Sequence, residues 1–269
     1  MQKKNKFTDV FFYTDLASFI VASILICLFS HRLILMTVLI PLLMILRTYY
    51  VTLRFNKEET IQEIIFLSIC IVIGGFNDWN SVCNKNIYSY GVPTFFPKIT
   101  TIPLWMLFYW GLILRLITSL AFWSKIETQN TYSNKVRFFG DNAWFKVLFQ
   151  LLLVFITRQL IYINYLDPFL SWIFFAIAFV VYLIFIPLKK ADILLLTSFA
   201  IGGPITEVLY IKIGNLHHYH HGVFFGVPIW IILWWIISVL LWKDISCRLI
   251  HLISSIYSGD KNRSLLATK

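Results

Sequence analysis

Apolar residues in this chain gather into long blocks, each about 18–22 residues, separated by short polar links. The blocks predict helices at about residues 12–30, 33–53, 60–79, 102–123, 144–165, 168–187, 191–211 and 226–243. At 1.5 Å per residue each can cross about 30 Å of hydrocarbon, where a helix satisfies its own backbone. The longest polar connection, near residues 124–143, falls at the middle of the series. The expected organisation is a first four-helix repeat over 1–125, a linker over 126–143, a second four-helix repeat over 144–243, and an amphipathic helix and tail over 244–269. That last helix is predicted because Ile245, Leu249, Leu252, Ile253 and Ile256 recur at helical spacing, with Asp244, Arg248 and His251 elsewhere on the wheel. The fold class is an all-α polytopic bundle of about eight spans.

Two stretches share one plan. Gly74–Trp110 carries Gly-Gly, an acid soon after (Asp78), an aromatic polar link, and Pro-x-Trp-x4-Trp; the stretch from Gly202 to Trp235 carries the same series with Glu207 as the acid. Pro103, Trp105 and Trp110 each lie 125 residues before Pro228, Trp230 and Trp235. With ten Trp in 269 residues, that pattern arises by chance only about 0.01 times, so two copies predict a 4+4 internal duplication.

Composition sharpens the class. Hydrophobic residues make up 59% and charged residues 13%, with mean hydropathy +0.76, the profile of a membrane protein. The net charge of +10 is spread through the links rather than gathered in one patch, which argues for membrane orientation and against a nucleic-acid partner. Of 23 Lys and Arg, Arg47, Arg115 and Arg158 fall inside helices, and Arg32, Lys85, Lys98 and Lys212 fall on the side of the two long links. The other sixteen share the side of both termini. Excess positive charge marks the cytoplasmic face, so the expectation is a multi-pass protein of the cytoplasmic (inner) membrane with both termini inside. Lys3, Lys4 and Lys6 resemble the start of a signal peptide, but the run that follows reads as the first membrane helix.

Candidate chemistry lies near the ends of the third and seventh helices. Asp78 and Glu207 are the candidate catalytic acids, because a carboxylate in an apolar helix must be paired, wet or protonated. Arg158 lies at a depth comparable to Glu207, so an Arg158–Glu207 pair is expected, either as a structural tie or as part of a substrate site. Arg115 sits near mid-membrane with no acid evident from spacing, a second candidate for substrate binding; Arg47 is expected to snorkel to the inner surface. Tyr219, Trp230 and Trp105 complete the candidate binding set, although Trp105, Trp230, Tyr88 and Tyr90 also suit an interfacial aromatic belt. His217 and His221 have the spacing of metal ligands on one helical face, with an interfacial loop as the alternative. No phosphate loop, Gly-x-Ser-x-Gly, Cys-x-x-Cys or His-Glu-x-x-His is present, and no cofactor is indicated.

The series Glu207, Gly214, Tyr219, Gly226, Val227, Pro228 and Trp235 resembles a signature of membrane-embedded carotenoid-biosynthesis proteins of the bisanhydrobacterioruberin or carotenoid hydratase type. The Pro-Leu-Trp-Met-Leu run from Pro103 is similar to small uncharacterised bacterial inner-membrane families. The likeness covers about thirty residues, and His217-His218 stand where that family has Phe-Gly. It implies a multi-helix membrane enzyme acting on an isoprenoid chain, with Glu207 as the acid. The readings carried forward are a lipid or isoprenoid enzyme or binding protein with a pocket near the outer leaflet, a small-solute or ion carrier built from two parallel repeats, and a structural membrane subunit. Its expected partners are membrane lipid and a lipid or isoprenoid substrate.

Overall fold

The computed structural model describes residues 2–53, 55–123 and 135–257. Among these residues eight helices form an antiparallel bundle: α1 (Gln2–Phe29), α2 (Leu33–Thr52), α3 (Lys57–Trp79), α4 (Leu104–Ala121), α5 (Ala143–Asn164), α6 (Ser171–Phe185), α7 (Lys190–Lys212) and α8 (Ile231–Tyr257). Six spans are long and apolar enough to cross a membrane: Asp9–Phe29, Leu33–Thr52, Lys57–Asn84, Leu104–Ala121, Trp144–Asn164 and Asp192–Lys212. The eight expected helices are therefore present, but length and composition qualify six of them, because α6 is only 15 residues long and α8 carries Lys243, Asp244 and Arg248.

Local signals fix several helix starts. Asn56 caps α3 by accepting from the Glu59 backbone at 2.8 Å while Glu59 accepts from the Asn56 backbone at 3.1 Å, a reciprocal capping box. Asn142 caps α5 the same way, accepting from the Phe145 backbone at 3.0 Å. One expected boundary is corrected. The helix over 226–243 and the amphipathic helix within 244–269 are expected as separate elements, yet α8 runs unbroken from Ile231 to Tyr257, because no Gly or Pro interrupts it and Lys243 and Asp244 turn inward to partners. Within the expected 126–143 linker, Lys135–Val136 (β1') and Gly140–Asp141 (β2') form a small antiparallel hairpin, and the remainder up to residue 134 lies outside the described residues.

Packing follows the same scheme in each half. α1 packs on α2 and α4, α2 on α4, and α3 on α4; likewise α5 packs on α6 and α8, α6 on α8, and α7 on α8. α4 and α8 lie innermost and touch, with the Trp242 indole donating to the Leu114 carbonyl at 2.8 Å. Gly74 lies so close to Trp110 that an added Cβ would fall 2.5 Å from its side chain, and Gly203 stands in the same relation to Trp235 at 2.6 Å. The two long links meet at one end of the bundle, here the link end, where strand β1 (Tyr88–Tyr90) pairs antiparallel with β2 (His217–Tyr219). The described chain ends lie toward the other end, here the tail end.

Each half is tied by buried charge. In the first, Arg47 Nε donates to Asp15 Oδ1 at 2.6 Å and its NH1 donates to Glu63; Arg115 Nε reaches Glu63 Oε1 at 2.9 Å and its NH1 lies 3.7 Å from Asp15. This brings one charged residue from each of α1, α2, α3 and α4 into a neutral cluster. In the second, Lys146 pairs with Asp244 at 2.9 Å, Gln150 bridges Asp244 at 2.7 Å and Tyr182 at 3.1 Å, and Lys243 pairs with Asp192. Here too α5, α6, α7 and α8 each contribute. Arg47 is therefore buried and paired rather than snorkelling, and Arg115 has two acids that spacing did not reveal.

Candidate functional site

Strand alternation sets the polar end of the site. On a strand, residues two apart share a face, so Tyr88 and Tyr90 point into the bundle beside His217 and Tyr219, while Ser89 and His218 point away and bond to each other at 2.9 Å. The four inward rings pack at 5.2–5.9 Å between centroids. Beneath them the two acids each serve their own strand. Asp78, 0% exposed, accepts from the hydroxyls of Tyr88 and, at 2.7 Å, Tyr90. Glu207 lies 2.9 Å from His217 Nε2, close enough for an ion pair although not aligned as a hydrogen bond, and shares the cavity wall with Tyr219. Burial and the neighbouring carboxylates push the phenols of Tyr88, Tyr90 and Tyr219 well above their usual range, so they remain protonated donors.

Below this cluster lies a cavity of about 330 Å³ between α1 and α4 on one side and α7 and α8 on the other. Its wall follows α7 from Leu194 to Glu207, about 20 Å at 1.5 Å per residue. Toward the tail end it is lined by Phe12, Leu16 and Leu120, at mid-depth by Phe199, and toward the link end by Tyr109, Tyr210, Glu207, His217 and Tyr219. Tyr109 and Tyr210 bond to one another, and Ser23 joins them at 3.2 and 2.7 Å. α1 and α7 are tied at the link end by Ser23–Tyr210 and by Ser30 donating to the Gly214 carbonyl at 2.5 Å. Farther from that end the wall residues Leu194, 48% exposed, and Ser198 are exposed, so the cavity is not sealed along this side of α7.

A second cleft adjoins the first across the strand pair, between α3 and α5. It holds only about 50 Å³. Arg158 fills it, donating to Asn77 at 2.7 Å, to Ser81 at 3.1 Å and to Tyr162, with its guanidinium 4.8 Å from the Trp234 ring. The expected Arg158–Glu207 pair does not form, because Asn77 and Ser81 on the facing turns of α3 and the π-helical turn Asn80–Asn84 take the guanidinium first.

The expected site residues divide accordingly. Glu207, Tyr219 and His217 line the cavity; Asp78 stands behind Tyr88 and Tyr90; Arg158 and Trp230 belong to the second cleft; Arg115 sits in the charge cluster. Trp105, 0% exposed, is packed in the core rather than at an interface, and Tyr88 and Tyr90 likewise turn inward. His217 and His221 share no helical face, since His217 lies on a strand and His221 faces the Tyr165 ring at 5.5 Å. Among the described residues no three His, Cys, Asp or Glu side chains converge as a metal site. Sequence reasoning missed Tyr109, Tyr210 and the part of Tyr88 and Tyr90. A signal for the strand residues existed: Glu63, Gly74, Asp78, Tyr88 and Tyr90 each lie 129 residues before Asp192, Gly203, Glu207, His217 and Tyr219.

Comparison with known proteins finds no matching family model, no similar curated protein and no similar solved structure. The functional reading therefore rests on the site itself.

Proposed function

We propose that this chain is an internally duplicated, multi-pass protein of the cytoplasmic membrane that binds a lipid or isoprenoid in the α1/α4/α7/α8 cavity. The single observation that carries the reading is the cavity's form: about 330 Å³, lined mainly by apolar side chains over about 20 Å, with its one charged wall residue, Glu207, gathered with His217 and Tyr219 at the link end. That suits a long apolar molecule entering from the bilayer with its head among Glu207, His217 and Tyr219. If the bound molecule reacts, Glu207 is the wall carboxylate able to move a proton, and the resemblance to carotenoid hydratases gives it the acid's role.

Duplication is supported by the constant spacing of 129 from Glu63 to Tyr90 and by the strand register. Tyr88 opposite Tyr219 and Tyr90 opposite His217 is the pairing a two-fold axis through Ser89 and His218 generates. The link end carries few basic residues, which directs it outward and leaves both termini in the cytoplasm. A solute carrier made of two parallel repeats would need polar groups at mid-depth; Ile113, Leu116 and Phe199 line the cavity there instead.

Gly202 supplies the test, because it lines the cavity and an added Cβ there meets nothing within 4 Å. Gly202→Leu should leave the fold intact, with helix propensity improved by up to about 1 kcal/mol, while plugging the cavity. Native mass spectrometry of gently extracted protein should find a long apolar adduct on the wild type and none on Gly202→Leu. An adduct that survives the plug, or a wild type that carries none, removes the reading.

A further inference from the structure

The polar end of the cavity also specifies a head group, an inference that rests on the cavity being a site for a long apolar molecule. Among the described residues no Lys or Arg lines it, and Glu207 is the one carboxylate on its wall. Arg158 lines the adjoining second cleft, which Glu207 and Tyr219 also border, and its guanidinium is held there by Asn77, Ser81 and Tyr162. A phosphate or carboxylate head would therefore meet Glu207 with only the His217 ring, and no Lys or Arg, to answer it.

A neutral head would find few free hydroxyls, and the unpartnered buried polar atoms on the wall include the ring nitrogens of His217 and the indole N–H groups of Trp110 and Trp235. Tyr88 and Tyr90 donate to Asp78, and Tyr109, Tyr210 and Ser23 satisfy one another. What these residues leave for the cavity is ring. A phenol that donates to a carboxylate gains electron density in its ring, so Asp78, placed behind Tyr88 and Tyr90, makes their faces better partners for positive charge. Tyr88, Tyr90 and Tyr219 line the same cavity as the partly buried Glu207 carboxylate, and tyrosine rings beside a carboxylate are the elements of an ammonium cage.

We propose that the cavity selects an organic ammonium carried on a long apolar tail, with Glu207 as counter-ion and the strand-pair tyrosines as the cage. His217, 2.9 Å from Glu207, is the internal rival that the ligand displaces from the carboxylate.

The test uses the full chain in a nonionic steroid detergent, titrated calorimetrically with three probes of equal tail: dodecyltrimethylammonium, dodecanol and dodecyl phosphate. Dodecyltrimethylammonium should bind about tenfold more tightly than dodecanol, with dodecyl phosphate weakest. Glu207→Gln should abolish that preference. Gly202→Leu should block all three, which separates binding in the cavity from partition into detergent. Equal binding of the three heads, or a preference for phosphate, overturns the head assignment while the cavity reading stands. A preference that survives in Glu207→Gln overturns the counter-ion role. If none of the probes binds the wild type, the cavity reading fails and this inference falls with it. The ranking on the wild type decides the head group even should Glu207→Gln fail to fold.

Discussion

In the cleft between α1 and α7, Tyr109 and Tyr210 bond to each other along the wall and leave about 330 Å³ beside them. In the cleft between α5 and α3, the positions 125 residues after Tyr109 and 129 before Tyr210 hold Trp234 and Ser81, and Arg158 reaches across to both, leaving about 50 Å³. The two clefts differ in the side chains that line them. In the second, a single guanidinium stacked on an indole and bonded to small polar groups fills most of the space. The same contrast appears in the strand pair, where Tyr88 and Tyr90 both reach Asp78, while His217, at the place corresponding to Tyr88, leaves Glu207 less fully engaged and on the cavity wall.

The halves also differ in how their charges are tied, and that difference predicts the largest effect. Glu63 serves Arg47 and Arg115 together, so Glu63→Gln leaves two buried guanidinium groups with Asp15 alone and should lower stability by about 3–5 kcal/mol. Asp192→Asn strands only Lys243 and should lower it by about 1.5–3 kcal/mol. Thermal unfolding of the two variants side by side checks the order, and a reversed order would mean the second half is the more tightly bound.

Next come the helix crossings. Gly74→Ala and Gly203→Ala would each drive a Cβ to within 2.5 and 2.6 Å of a tryptophan, so each should destabilise by about 1–3 kcal/mol, and by similar amounts if the halves are equivalent. Unequal losses in the same assay would count against that equivalence. Removing the plug should then recreate the open cleft: in Trp234→Ala combined with Arg158→Ala, native mass spectrometry should find up to two apolar adducts per chain where the wild type holds one. A stoichiometry that stays at one would show that side-chain volume is not what separates the clefts.

The smallest effect concerns pH. The phenols of Tyr88, Tyr90 and Tyr219 are raised in the fold, so their contribution to stability is complete below the ordinary phenol value of about 10 and is lost as pH climbs through their folded values. Absorbance titration near tyrosinate wavelengths should show a group of tyrosines resisting ionisation beyond pH about 10 until the links separate. Were all the tyrosines to ionise together near 10, the buried strand-pair cluster would be in doubt.

Much of the architecture was legible in the residues alone. Apolar block length fixed the all-α class and the helix order, since a chain that buries its backbone in hydrocarbon has few other solutions, and the repeated Gly-Gly, acid and Pro-x-Trp-x4-Trp pointed to both sides of the strand pair and to Glu207. Spacing could not assign partners. Arg115 seemed alone because Asp15 and Glu63 lie 100 and 52 residues away in sequence, and Arg158 was matched to Glu207 on depth when lateral position gave it to Asn77 and Ser81. Depth along a helix follows from residue count, but the direction a side chain faces across a bundle depends on how eight helices rotate against one another. That rotation, set here by close Gly–Trp crossings and the pairing of two distant links, decided which cleft opens and which residues meet in it.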